Sequence, residues 1–147
     1  MIMKDTFKTK RDIKEIIVHC TATAADKDIG VADIDRYHRS LGWRGCGYHW
    51  VVRLDGTIEA GRPEGEDWAH CTGHNHISIG VAYCGGIDGR GEPADTRTAE
   101  QCTTLRRLLG DIIARYPGAK IYGHRDFAAK ACPCFDATSE YADLCER

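Results

Sequence analysis

The chain has 147 residues, of which 42% are hydrophobic and 29% are charged. Lys and Arg together number 20 against 22 Asp and Glu, and the resulting net charge of −2 gives no general attraction to nucleic acid or to an anionic membrane. No apolar run approaches the roughly 18 residues of a membrane span, and the charged N-terminus lacks the apolar stretch of a signal peptide. Composition therefore excludes an integral membrane protein, a disordered chain and a collagen-like chain. It is typical of a globular protein, and with no signal peptide we expect synthesis in the cytoplasm. We also expect the protein to be a monomer.

Cysteine usage bears on the compartment. With no export signal and a chain long enough to fold around a hydrophobic core, we expect most of the thiols to be reduced. Cys102 and Cys145 fall on apolar faces of predicted helices, where a buried free thiol is expected. The eight cysteines are Cys20, Cys46, Cys71, Cys84, Cys102, Cys132, Cys134 and Cys145.

The first half of the chain alternates strand and helix patterns. Residues 15–20 form a β-branched run typical of a buried strand. Apolar residues then recur at helical spacing over 31–41, and Gly42 follows where a helix C-cap belongs. Two strand-like runs, 48–54 and 57–60, flank Asp55-Gly56, a dipeptide that favours a hairpin turn.

The second half continues this alternation. A strand is predicted over 77–83, and Thr98 with Gln101 has the form of a capping box that opens a helix ending before Pro117. Residues 120–124 predict the last strand, and Asp136 can cap a short terminal helix. The whole chain, 1–147, is therefore predicted to be one α/β domain, with a mixed central sheet flanked by helices and with residues 1–14 as an N-terminal extension.

Two histidines stand at the ends of predicted strands, where α/β folds place their sites. They are His19 and His124, and Cys132 lies eight residues beyond the second. Two imidazoles and one thiolate would give Zn²⁺ three protein ligands and leave a fourth position open, as in catalytic zinc sites. Lys130 and Cys132 would point to the same side of an extended segment.

A second cluster competes with this set. The run from His70 to His76 holds three histidines and one cysteine within seven residues. Composition and spacing do not decide between the two sets, because neither has the local ligand spacing of a zinc motif.

Motifs along the chain carry a resemblance to a known family. The sequence from Glu15 to Asp136 resembles the zinc-dependent N-acetylmuramoyl-L-alanine amidases, which include the small amidase-type lysozymes of short-tailed phages and the peptidoglycan recognition proteins. The phage lysozymes are the most similar in length and motif order. The resembling segments, in the order of the family, are 17–23, 47–49, 55–62, His70-x-x-Gly73-x-Asn75, 78–81, 85–88, 123–126 and 130–133.

The resemblance implies the fold of those proteins and a specific site. It implies that His19, His124 and Cys132 bind Zn²⁺, and that Tyr48 and Lys130 are catalytic. It also implies cleavage of the peptidoglycan amide bond between N-acetylmuramic acid and L-alanine, after release or non-classical export to the cell wall. Substrate contacts are expected from His70, Asn75 and Trp43. Trp68 is a further residue that could stack on sugar. The remaining aromatic and polar candidates are interpreted as structural or surface groups: Cys20, Cys134, His38, His74, His76 and Trp50.

Two other functions stay open at this point. The chain could be a binding module of the same fold that recognises cell-wall peptide without cutting it, although such modules typically lose the cysteine that is present here as Cys132. Some phage amidases of this kind also bind a phage RNA polymerase through the N-terminal segment, and this chain has a comparable extension.

Overall fold

The computed structural model describes residues 11–67 and 69–145. Trp68 and most of the predicted N-terminal extension lie outside these residues. The predictions of sugar stacking and of polymerase binding made for them therefore stay predictions. Within the described residues, no helix is both long enough and apolar enough to cross a bilayer.

The described residues contain seven strands and four helices. The strands are β1 (Glu15–Cys20), β2 (Thr23–Ala24), β3 (Trp50–Val52), β4 (Ile58–Ala60), β5 (Ser78–Tyr83), β6 (Gly86–Ile87) and β7 (Lys120–Gly123). The helices are α1 (Val31–Ser40), α2 (Ala99–Arg115), α3 (Ala137–Glu140) and α4 (Ala142–Cys145).

The central sheet has five strands in the order β4-β3-β5-β1-β7. The β3–β4 hairpin is antiparallel, whereas β3–β5, β5–β1 and β1–β7 are parallel pairs. This confirms the mixed sheet predicted from the sequence. Strand β1 lies inside the sheet, and its residues Ile16, Ile17 and Val18 are completely buried. Burial on both faces is the reason that this strand reads as a continuous apolar run rather than as an alternating one.

Helix α2 covers one face of the sheet. Its N-terminus has the predicted capping box, in which the Thr98 hydroxyl accepts from the Gln101 N–H and the Gln101 side chain accepts from the Thr98 N–H.

The prediction that Cys102 is buried is wrong, because Cys102 is exposed. Gln101 takes the inward position of the first turn instead. There its amide donates to the carbonyls of Val52 and Cys84 at the ends of two strands.

Helix α1 covers the opposite face near β3. Ile34 of this helix packs with Val51, Cys46 and Cys84 in a small second core. Trp50, whose side chain alternates to the α2 face, is 5% exposed and belongs to the main core, as predicted. The two cores leave a cleft between α1 and the carboxyl end of the sheet.

Candidate functional site

His19 and His124 meet because of the register of two parallel strands. Val18 of β1 pairs with Gly123 of β7, so the residue that follows each of them emerges at the same end of the sheet. The ring centroids of His19 and His124 lie 4.6 Å apart. His19 is 1% exposed, whereas His124 begins a short 3₁₀ turn and is partly exposed.

Cys132 returns to the same point from the loop after β7. Its Sγ lies 4.0 Å from His19 Nδ1 and accepts a hydrogen bond of 3.2 Å from the backbone N–H of Cys20. The candidate ligand atoms of His19, His124 and Cys132 all lie within 4.8 Å of one another. The side chain of Cys20 lowers the pKa of the Cys132 thiol by hydrogen bonding to it, and the backbone of Cys20 has the same effect to a smaller extent.

The donor set fits zinc. Bonds of about 2.0–2.1 Å to nitrogen and about 2.3 Å to sulfur place the ligand atoms of a tetrahedral site about 3.5 Å apart, close to the 4.0 Å between Cys132 Sγ and His19 Nδ1. Burial first, and then the neighbouring imidazole of His70, lowers the pKa of His19 well below its ordinary value. The ring is therefore held in the neutral form, which is the form that offers a lone pair to a metal.

A cavity of about 340 Å³ opens beside these three residues. Tyr48 and Lys130 both line it. The ring centroid of Tyr48 lies 5.2 Å from that of His19, and burial raises the pKa of its phenol. Lys130 is exposed at the mouth, and among the described residues it forms no ion pair, with Asp126 or with any other acid. Burial lowers the pKa of His124, and the positive charge of Lys130 lowers it further.

The three residues expected to touch substrate occupy different depths of the cleft. Trp43 lines this cavity and also an adjoining one of about 460 Å³ beneath α1. His70 is only 5% exposed, and its ring lies edge-on to that of His19. Asn75 also lines the cleft, and its side-chain oxygen accepts hydrogen bonds from the backbone N–H groups of His70 and Cys71.

The competing cluster of residues 70–76 does not converge on one point. His74 Nδ1 donates to Glu15 Oε1 at 2.8 Å and its ring stacks on Phe127, whereas His76 is exposed. Within the described part of the chain, one group of three or more potential metal ligands comes together, and it is the group of His19, His124 and Cys132.

Sequence reasoning missed the contact between His19 and His70. His19 Nε2 lies 3.0 Å from His70 Nδ1, and the His70 ring fits against β5 because Ser78 and Gly80 carry little or no side chain there. The alternation of small and large residues in Ser78-Ile79-Gly80-Val81 was a usable signal. Small residues at every second position indicate a strand that has space on one face for a side chain from another segment.

Comparison with known proteins places the chain in a family. Residues 9–135 match the model of the family described as N-acetylmuramoyl-L-alanine amidase. The chain belongs to the N-acetylmuramoyl-L-alanine amidase family. It is accordingly an amidase and a peptidoglycan hydrolase. Its match to the family model spans the strands, the helices α1 and α2, and the loop that carries Lys130 and Cys132.

Individual proteins are similar to this chain in sequence or in fold. An endolysin of Klebsiella phage KP32 is 43% identical over 133 residues, which is 90% of this chain and 88% of that protein. The structure of the N-acetylmuramoyl-L-alanine amidase LysC from Clostridium intestinale superposes with a TM-score of 0.77 at 29% identity, covering 92% of this chain and 87% of that one. Bumblebee PGRP-SA shares the fold, with a TM-score of 0.75 at 21% identity over 92% of this amidase and 84% of its own chain.

Proposed function

We propose that this amidase is zinc-dependent, with His19, His124 and Cys132 as the protein ligands. The observation that carries the proposal is the convergence of these three donors, from separate parts of the chain, at the wall of the cleft. A zinc ion in such a site supplies a Lewis acid and lowers the pKa of a bound water from about 15.7 to about 7. Three protein ligands leave the fourth position open for that water.

The side chains around the donors have separate tasks. Lys130 places a positive charge at the cavity without an acidic partner among the described residues, so its charge is available to the oxygen of the scissile amide. A donor aimed at the developing oxyanion is worth most in a site from which water is excluded. Tyr48 keeps its phenol protonated, because burial raises its pKa, and it can therefore donate a hydrogen bond toward the same space.

The cleft gives the substrate two connected spaces. Trp43, Tyr48, Thr21 and Ala22 line both the cavity at the three donors and the adjoining cavity beneath α1. A muropeptide has a sugar and a peptide on either side of the amide, so a cleft that continues past the reacting bond suits it. The proposed substrate is peptidoglycan, which carries this bond, and we propose that the enzyme acts on the cell wall.

The test is digestion of purified peptidoglycan with and without a chelator, followed by mass spectrometry. The expected products are stem peptides with L-alanine at the new N-terminus and intact glycan strands. Activity should disappear with the chelator and return with added Zn²⁺. New reducing ends without free peptides would indicate a glycosidase, whose chemistry depends on two carboxylates instead. Release of peptides that a chelator leaves unchanged would contradict the zinc proposal alone.

A further inference from the structure

Behind His19, on the side away from Cys132, lies the ring of His70. It is buried, and both of its nitrogens face polar atoms. Nδ1 lies 3.0 Å from Nε2 of His19, and Nε2 lies 2.9 Å from Oγ of Ser78. The mechanism proposed above gives His70 no task, and its burial leaves little of the ring available to a substrate.

Ser78 fixes the direction of these hydrogen bonds. Its hydroxyl donates to the carbonyl oxygen of His74 at 2.7 Å, since a carbonyl can only accept. A hydroxyl has one hydrogen, so toward His70 the Ser78 oxygen acts as the acceptor. His70 Nε2 must then carry the hydrogen. A neutral imidazole has a single N–H, so His70 Nδ1 is an acceptor.

The hydrogen-bonding state of His70 determines that of His19. Because His70 Nδ1 accepts, His19 Nε2 is the nitrogen that carries hydrogen and donates. The lone pair of His19 is thereby left on Nδ1, the nitrogen that lies 4.0 Å from Cys132 Sγ. Without the acceptor, His19 could place its hydrogen on either nitrogen, and one of these two tautomers has no lone pair facing the other donors.

Contacts within the protein hold the His70 ring in place without any ligand. A Cβ on Gly80 would lie 2.7 Å from Cγ of His70, so a side chain at this position of β5 would displace the ring. Asn75 anchors the backbone on the other side, because its side-chain oxygen accepts from the His70 N–H at 3.0 Å. The ring is therefore held from the strand below and from the loop that carries it.

We propose that His70, oriented by Ser78, is a positioning residue that sets the tautomer of His19 and thereby strengthens metal binding at His19 Nδ1. The inference rests on the proposed zinc function and adds to it the residues that prepare one ligand. Partners of this kind around metal-bound histidines typically change metal affinity by about 10–100-fold when they are removed.

The first measurement uses the wild-type protein without metal. Two-bond ¹H–¹⁵N NMR spectra of the histidine rings report which nitrogen carries hydrogen. We expect both His19 and His70 to be protonated at Nε2. A His19 ring protonated at Nδ1, with Nε2 bare, would overturn the proposal, and this measurement depends on no variant.

The second measurement is the zinc dissociation constant, obtained by competition with a chromophoric chelator. We expect His70→Phe to raise the constant about 10–100-fold and Ser78→Ala to raise it by less, because the backbone of His70 stays anchored. His70→Gln, which can still present a carbonyl oxygen to His19, should recover part of the affinity. His76→Ala, an exposed histidine of the same loop, is the matched control and should leave the constant unchanged.

The outcomes separate this inference from the function on which it rests. If the wild-type protein binds no zinc, the proposed metal function and this inference both fail. If the wild type binds zinc and a folded His70→Phe variant binds it within about twofold of the same affinity, only the positioning role fails. Thermal unfolding of each variant shows whether it is folded, and the NMR result on the wild type stands even if His70→Phe is not.

Discussion

The Sγ atom of Cys132 lies 4.0 Å from Nδ1 of His19, although the two residues come from opposite ends of the chain. Strand β1 supplies one partner and the loop after β7 supplies the other. Only the folded domain holds them at this distance, so a metal bound here depends on the fold.

Replacing Cys132 should remove the metal. We expect Cys132→Ala to lose nearly all of the zinc that the wild type retains, because two imidazoles alone leave a site with too few protein ligands. Elemental analysis of purified proteins measures this directly. The control is a His74→Ala/His76→Ala double variant, which should keep stoichiometric zinc. Retention of zinc by Cys132→Ala together with its loss from the double variant would move the site to the 70–76 loop.

Lys130 and Tyr48 should affect the rate and leave the metal in place. We expect Lys130→Ala to lower kcat by about 10²–10³ or more, the usual cost of losing an oxyanion donor. Tyr48→Phe should also lower kcat, because it removes the one hydroxyl of that side chain from the cavity. The measurement is the steady-state rate on purified peptidoglycan, with zinc content determined on the same samples.

The control for this pair is Lys120→Ala, which changes an exposed lysine on β7. It should leave the rate unchanged. If the rate of Lys130→Ala also stayed within about twofold of the wild-type rate, Lys130 would have no part in catalysis. It would then be an ordinary exposed lysine, whose ion pairs typically contribute only ~0–1 kcal/mol to stability.

Glu64 should be important for stability and remote from catalysis. Its carboxylate is 1% exposed, pairs with Arg115, and accepts hydrogen bonds from Trp50 Nε1 at 2.7 Å and from the Tyr116 hydroxyl at 2.6 Å. Glu64→Ala leaves the buried guanidinium without this carboxylate, which typically costs about 3–5 kcal/mol. Chemical denaturation measures the loss. Breaking the exposed Asp33–Arg36 pair with Arg36→Ala offers a contrast, since exposed pairs contribute ~0–1 kcal/mol to stability and the bond from the Gly30 N–H to Asp33 is kept.

Acid should weaken the pairing of Asp95 with Arg97 in the segment before α2. The Arg97 guanidinium, 2.9 Å from Asp95, holds the pKa of that carboxyl below its usual range. A lowered pKa in the folded state means that the stabilisation is complete above the unfolded value of about 3.9 and is lost as the pH falls through the folded value. Asp95→Asn should therefore be less stable than the wild type at pH 7.

The difference between Asp95→Asn and the wild type should begin to shrink as the pH falls below the unfolded value of about 3.9, and it should vanish once the pH is below the lowered pKa of the folded carboxyl. Urea midpoints at pH 7 and pH 3 measure both quantities. Asp26→Asn, at an exposed turn, serves as the control. A difference that stayed constant between the two pH values would show that the carboxylate charge is not what matters at this position.

Much of the fold could be predicted from the sequence, because local signals and burial agree there. The capping box at Thr98 formed as expected. The hairpin also formed, with Gly56 at a positive φ of 87°, but its strands are joined by residues 53–57 rather than by the two residues predicted. Cys102 was misassigned because helical periodicity places a residue on a face but does not say where along the helix that face meets the sheet. The first turn of α2 meets strand ends, where Gln101 finds carbonyls to satisfy.

The candidate site was only half readable. Strand-end positions marked His19 and His124, with Cys132 as the third member of one candidate ligand set. The family resemblance favoured that set and supplied Tyr48 and Lys130. Without the resemblance, the choice between the two ligand clusters depends on the register of β1 and β7, which is a long-range property that no local pattern encodes. The contact of His70 with His19 was beyond reach for the same reason, since it joins a loop to a strand 51 positions away.

Strand β1 has hydrogen-bonded neighbours on both sides, and it carries His19 near its end. Amides in such a strand usually exchange with solvent only when the whole domain opens, whereas edge elements fray at much lower cost. A metal held through His19 would thus favour the native state as a whole, by an amount that rises with the logarithm of its free concentration. Chelation should consequently accelerate hydrogen exchange and proteolysis throughout the central sheet, far beyond the loops that surround the cleft.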